Sequence, residues 1–279
     1  MHDSIIVRPL NEIERERIAK LLKERYLPDV NRNAPIPKPN VSFYTRYGKR
    51  ICDIAFSALA LIVTLPINVA LAICTYLDVG RPIFFKQRRT GLRGREFSMV
   101  KFRNMTNDKD EEGRLRPAKE RVTKFGKVVR GASLDELLNF WNILKGDMSL
   151  IGPRPLLPEY TNRYSERHFA RLSVRPGLEC PPLHFDAANG SWDAQFEHDV
   201  WYVENVSLKT DLKMMGAILK LATNRKRTDE RASALRGYFL GYGPDGKAVE
   251  SNNLSTQYKT EGNRKRATDG DLEVDHAFS

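Results

Sequence analysis

Between Ile54 and Leu77 the chain runs for 24 residues without a charged side chain, IAFSALALIVTLPINVALAICTYL. A helix rises about 1.5 Å per residue, so this run reaches about 36 Å and matches a hydrocarbon core of about 30 Å. Such an element must enter a membrane or be buried as a core helix. Pro66 stands in its middle, where it removes a backbone hydrogen bond and crowds the preceding turn, so a kink or break is expected there. Both flanks are basic: Arg46, Lys49 and Arg50 precede the run, and Arg81, Lys86, Arg88, Arg89, Arg93 and Arg95 follow it. Cationic flanks prefer the cytoplasmic side. A straight crossing would export one flank, whereas a helix that dips in and turns back keeps both inside. The expectation is a Pro-broken, re-entrant membrane helix over 41–80, with a straight span as the alternative. Asp53, Ser57, Thr64 and Asn68 also fit an element that is not wholly lipid-facing.

The remaining sequence does not repeat this pattern. A mean hydropathy of -0.49 excludes a polytopic membrane protein, and 41% hydrophobic residues in 279 allow a sizeable core. Forty-six Lys+Arg against 35 Asp+Glu leave a formal charge of +11, which calls for an anionic partner: nucleic acid, anionic lipid or a phosphorylated substrate. Three cysteines cannot form a disulfide framework, so a reducing cytoplasm is the default. Asp3 and Arg8 interrupt the early apolar residues, and no signal peptide is expected. Residues 11–26 read as a helix opened by an Asn11/Glu14 capping box, with Ile18, Leu21, Leu22 and Tyr26 as its apolar stripe. Pro28, Pro35, Pro37 and Pro39 then imply an extended linker that closes an N-terminal segment 1–40. The main domain is expected over 81–222. The polar segment 223–279 is expected to be largely disordered, with a short helix near 228–239 as an option.

The chemistry-bearing residues lie after the apolar run. Phe84-Phe85 and 97–102 read as two strands around turn signals at Gly91 and Gly94. Farther on, Ser133 is a candidate N-cap that places Asp135 and Glu136 in the first turn of a helix, where carboxylates favour the dipole. Capping alone accounts for them. Their surroundings offer a second reading: Arg130 lies upstream, and Asp147 and Arg154 lie downstream among Gly146, Gly152, Pro153 and Pro155. Paired carboxylates beside guanidinium groups suit a metal-bound diphosphate, because Mg²⁺ takes oxygen ligands and Arg forks grip phosphate oxygens.

The blocks KRICD (49–53), RPIFFKQRRTG (81–91), KFRNM (101–105), KFGKVVRGASLDELLNFWNILKGDMSLIGPRPLL (124–157), RPG (175–177) and DVWYVENVSLKTDLKM (199–214) carry a resemblance. From about Tyr47 to Leu221 the chain resembles the bacterial sugar transferases, the monotopic phosphoglycosyl transferases, in their compact form without an N-terminal multi-span bundle. The resemblance implies a helix-rich α/β enzyme on the cytoplasmic face of the inner membrane. It would move sugar-1-phosphate from a UDP-sugar to a polyprenyl phosphate, such as undecaprenyl phosphate, and release UMP. That step begins exopolysaccharide, capsule, O-antigen or glycoprotein glycan assembly. Asp135 would be the nucleophile, forming a phosphosugar–aspartyl intermediate, and Glu136 a base or an organiser of the metal. Mg²⁺ would contact Asp135. Lys101, Arg130, Arg154 and Arg175 would hold the diphosphate and the lipid phosphate; Asp147 would join them or order its loop. Partners then are the UDP-sugar, the polyprenyl phosphate and the membrane, with downstream glycosyltransferases and a second copy of the chain as further candidates. Nucleic acid is not among them, since no nucleic-acid motif is present and the basic residues border a membrane element.

One segment departs from the family pattern. After Arg175-Pro176-Gly177 the family usually continues with a Thr-Gly-Trp-Ala-Gln-Val-Asn-Gly-Arg type of loop. Here the residues are Leu178-Glu179-Cys180-Pro181-Pro182-Leu183-His184-Phe185-Asp186-Ala187, with Ala187 where the pattern places Arg. Altered nucleotide or sugar recognition is one consequence. A catalytically degenerate, membrane-bound scaffold of the same fold is the alternative. Cys180 and His184 are too few for a metal site.

Overall fold

A computed structural model describes residues 10–181, 191–223, 237–252 and 254. Helices dominate, and the described strands form three separate two-stranded pairs. Helix α1 (Glu12–Asn33) starts on the expected capping box: Glu14 N donates to Asn11 Oδ1 at 2.8 Å, and Asn11 N to Glu14 Oε2 at 2.8 Å. It runs past Tyr26 and takes Pro28 into its exposed face, so the linker begins only at Ala34. That linker is docked rather than free. Asn40 N donates to Val203 O at 3.0 Å, and Arg167 donates to Pro35 O at 3.2 Å.

The apolar run forms α2 (Lys49–Val79), one helix of 31 residues that stays helical through Pro66. Pro66 therefore does not divide it into two helices, and a turn back at this point is a bend within α2. With its π-helical lead-in from Tyr44, α2 is the one described helix long and apolar enough to cross a membrane. A polar seam runs along it. Asp53, Ser57, Leu71 and Thr75 are buried, Thr64 and Asn68 are half-buried between them, and this spacing follows one helical face. Asp53 accepts Ser149 Oγ and Leu150 N, both at 3.0 Å, and Arg50 donates to Ile143 O and Leu144 O at 2.6 and 2.7 Å. At the far end Leu71 packs with Phe102 and Val129, and Asp78 accepts Thr123 Oγ1 at 2.6 Å. Both ends of α2 thus dock on one body, while Leu59, Ile62, Val63, Leu65, Ile67 and Val69 stay exposed.

Strands β1 (Phe84–Thr90) and β2 (Glu96–Phe102) form an antiparallel hairpin with Gln87 opposite Met99 and Phe85 opposite Lys101. Helix α3 (Lys124–Gly131) leads to a 3₁₀ turn at Leu134–Glu136, and α4 (Asn139–Lys145) leads into β3 (Ser149–Ile151). β3 pairs in parallel with β4 (Gly177–Glu179). The two strands meet at Gly152 and Gly177: a Cβ on Gly177 would lie 2.1 Å from Gly152 N, so no other residue fits there. α5 (Trp192–Asn205) and α6 (Leu208–Thr223) complete the core.

The C-terminal segment corrects an expectation. Over its described part the expected disorder gives way to order: β5 (Phe239–Tyr242) pairs antiparallel with β6 (Ala248–Glu250) and packs on α1, while 228–236 of the optional helix lie outside the described residues. Phe239 and Tyr242 join Tyr160, Tyr164, Leu172, Trp192 and Phe196 in one core, and Leu240 meets Ile18 and Leu22 in another. Apolar burial drives this pairing, each large side chain contributing about 1.5–3 kcal/mol. Gly241, at φ +141°, lets the strand approach Leu22 closely. The rest of the polar tail lies outside the described residues, as do Pro182–Gly190 of the divergent loop.

Candidate active site

Asp135 and Glu136 do not open an α-helix. Ser133 adopts φ 54°, ψ 23°, the left-handed region, and its side chain caps nothing. That conformation costs a residue with a Cβ about 1–2 kcal/mol, and it turns the chain sharply from α3 into the 3₁₀ turn. Asp135 is thereby directed inward, to 7% exposure. The capping account of these carboxylates therefore fails, and their surroundings are ionic.

Glu136 Oε1 accepts Lys101 Nζ at 2.6 Å and lies 3.5 Å from Arg154 Nη2. Arg154 Nη1 also lies 4.0 Å from Glu179 Oε2. Asp135 Oδ2 accepts Asn104 Nδ2 at 3.3 Å. Burial raises the Asp135 carboxyl above the usual range, Lys101 opposes this, and the neighbouring Glu136 adds to it; Arg130, exposed at the end of α3, pulls weakly the other way. Burial also pushes Glu136 upward, but Arg154 and Lys101 together outweigh it and leave this carboxyl below the usual range. Two adjacent carboxylates are thus held apart in acidity by their environments. The recess that Glu136 borders is lined by Arg89, Met99, Lys101, Glu136, Met148, Arg154, Pro155, Gly177 and Leu178.

Of the residues singled out in the sequence, Lys101, Arg130, Asp135, Glu136 and Arg154 converge. Asp147 and Arg175 sit at the Gly146 turn instead. Asp147 pairs with Lys145 at 2.5 Å, and Arg175 Nε donates to Gly146 O at 2.9 Å. Pro66 stands on the exposed face of α2. Three contributors carry no local signature. Asn104 sits one residue beyond the basic Lys101–Arg103 run, and its backbone is pressed against Gly126, where a Cβ would come 2.2 Å from Asn104 O. Arg171 and Asp199 form a fully buried ion pair, 2.9 Å from Nε and 2.7 Å from Nη2 to Oδ2. Arg171 Nη2 also donates to Arg154 O at 2.8 Å, which fixes the turn that carries Arg154.

No group of three or more His, Cys, Asp or Glu that could enclose a metal occurs among the described residues. The donor set nevertheless fits magnesium, which is commonly held by one or two carboxylates while phosphate oxygens and water complete its shell. Asp135 and Glu136 supply such a pair. Three cations, Arg89, Lys101 and Arg154, and the Glu136 carboxylate face one recess, a charge balance that suits an anion.

A family model described as bacterial sugar transferase matches residues 44–224. The chain is 42% identical over 171 residues to an uncharacterized sugar transferase, EpsL, of Bacillus subtilis (strain 168), covering 60% of this chain and 83% of that protein. It is 33% identical over 189 residues to the UDP-glucose:undecaprenyl-phosphate glucose-1-phosphate transferase of Caulobacter vibrioides (strain ATCC 19089 / CIP 103742 / CB 15), covering 64% of this chain and 70% of that one. Over 185 residues it is 35% identical to the UDP-N-acetylgalactosamine-undecaprenyl-phosphate N-acetylgalactosaminephosphotransferase of Aeromonas hydrophila, covering 63% of this chain but 43% of the relative.

Proposed function

The chain belongs to the bacterial sugar transferase family, and from that premise we propose that it transfers sugar-1-phosphate from a UDP-sugar to a polyprenyl phosphate. The observation that carries this is buried Asp135, held by Asn104, next to Glu136, which pairs with Lys101 and Arg154 on one recess, in a body docked along an apolar helix. In the first half-reaction an Asp135 oxygen attacks the sugar-bearing phosphorus. The bond from that phosphorus to the bridging oxygen breaks, and UMP leaves with the electron pair. In the second, an oxygen of the lipid phosphate attacks the same phosphorus, the bond to Asp135 breaks, and the carboxylate is restored. Lys101, Arg130 and Arg154 hold the phosphates throughout, so positioning and electrostatics lower the barrier. The Asn104 amide keeps the Asp135 carboxylate oriented. Glu136, held ionised by its two cations, spaces Lys101 and Arg154 rather than accepting a proton. Asp135 and Glu136 would hold a magnesium ion, which would supply charge screening for the phosphates.

The same reading includes a monotopic topology, with α2 re-entrant and the domain on the cytoplasmic face of the inner membrane. Support comes from the seam: Arg50 and Asp53 at one end of α2 and Leu71 and Asp78 at the other touch the same body. A straight crossing would place those ends in different aqueous phases. Cysteines engineered near Tyr44 and Arg89 should both label from the cytoplasm, and labelling from opposite sides refutes re-entry.

The activity is tested by following UMP release from a panel of UDP-sugars with undecaprenyl phosphate and Mg²⁺. Wild type should release UMP with at least one sugar and Asp135→Asn with none. Equal background release from both refutes the enzymatic reading and leaves the scaffold alternative.

A further inference from the structure

Arg88 and Arg89 are adjacent in sequence and differ in surroundings. Side chains alternate along a strand, and Arg88 pairs with Glu96 across the exposed side of the hairpin. Arg89 falls on the opposite face, the one shared with Met99 and Lys101 through the β1–β2 register, and it lines the recess with Glu136 and Arg154. Thr90 N donates to Leu156 O at 3.0 Å, and the Thr90 and Thr161 hydroxyls lie 2.9 Å apart, which ties this end of β1 to the segment following Arg154. Two guanidinium groups are therefore held on one recess. Arg89 Nη1 is buried and has no hydrogen-bond acceptor among the described residues. Glu159 acts on it through charge, yet no ion pair joins them within 4.0 Å. A buried donor without an acceptor is costly, and a second cation nearby adds to that cost.

Resting on the proposed transfer reaction, we infer that Arg89 is a phosphate-binding residue of the recess, acting together with Arg154 on one oxyanion. Burial and the charge of Arg154 both lower its proton affinity, and an oxyanion would relieve both. Arg suits this task because its fork bonds two oxygens at once. The oxyanion is a phosphate either of the nucleotide donor or of the lipid acceptor.

The test measures dissociation constants for UDP and, separately, for undecaprenyl phosphate, on the full chain in nanodiscs, with melting temperatures alongside. For Arg89→Gln we expect about a tenfold or greater weakening of at least one of the two, as befits a charge-assisted hydrogen bond. Arg89→Lys should fall between this and wild type, since it keeps the charge and loses the fork. A loss confined to UDP assigns Arg89 to the donor, and one confined to the lipid assigns it to the acceptor. Wild-type affinity of Arg89→Gln for both anions overturns the inference, even with a lowered melting temperature, and makes Arg89 a structural counter-charge to Glu159. If Arg89→Gln does not fold, Arg89→Lys decides: weakened binding of either anion supports the inference, and unchanged binding of both overturns it. Wild type binding neither anion would refute the proposed reaction itself and remove this assignment with it.

Discussion

Replacing Arg171 should expose how the fold supports the site. Its guanidinium is 1% exposed, and its partner Asp199 is 2% exposed. It serves three acceptors: Asp199 Oδ2, the Tyr164 hydroxyl at 3.2 Å and Arg154 O at 2.8 Å. Arg171→Met keeps much of the volume and leaves Asp199 as an uncompensated buried charge, a loss of about 3–5 kcal/mol. At about 2–4 °C per kcal/mol for a domain of this size, the melting temperature should fall by about 6–20 °C. Arg171→Lys keeps the charge but cannot reach three acceptors, and two lost hydrogen bonds at about 1 kcal/mol each predict a drop of about 4–8 °C. Adding Asp199→Leu to Arg171→Met removes the stranded charge and should recover most of the loss, because apolar replacement of a whole buried pair is often neutral. Thermal unfolding in detergent, read by tryptophan fluorescence, measures all of these. A shift below about 2 °C for Arg171→Met, or a double variant no more stable than the single, would refute the reasoning.

Other consequences can be read from single positions. Asp135 has a raised carboxyl, so its charged form is disfavoured by folding; that stability is present below the unfolded value and lost as pH rises through the folded one. Asp135→Asn should therefore abolish UMP release yet melt at or above wild type at pH 7, with the difference closing on acidification. Gly177→Ala forces a Cβ to 2.1 Å from Gly152 N; separation of β3 from β4 should cost at least the ~1–3 kcal/mol of core overpacking and shift Arg154, seen as lower melting and weaker activity. Phe239→Ala, at 0% exposure, should lose about 3–5 kcal/mol. A neutral effect on melting would mean that β5 is not part of the core.

Much of the site is local in sequence and was legible there. Arg130, Asp135, Glu136 and Arg154 lie within 25 positions, and their chemistry follows from residue type. The same holds for the Asn11/Glu14 cap and for Asp53 and Ser57 as the unexpected polar residues of an apolar run. What was not legible depends on distant partners. Phe239 reads as part of a polar tail until Trp192, Tyr160 and Phe196 supply its surroundings. Arg171 and Asp199 are ordinary surface types whose pairing 28 positions apart appears only when α5 packs. Two local rules were overridden. Pro66 and Pro28 stay within continuous helices because the remaining hydrogen bonds and packing hold the chain on both sides. Ser133 takes a left-handed conformation where an N-cap would be extended, since the turn it makes brings Asp135 to Asn104.

The covalent step is the centre of the account, and lipid-free turnover tests it most directly. With a radiolabelled UDP-sugar that the enzyme uses, rapid mixing without polyprenyl phosphate should release UMP in a burst approaching one equivalent per chain. The label should remain on Asp135, and undecaprenyl phosphate should then discharge it. UMP release that waits for the lipid, with no label on Asp135, would contradict the account and require direct transfer between the two phosphates.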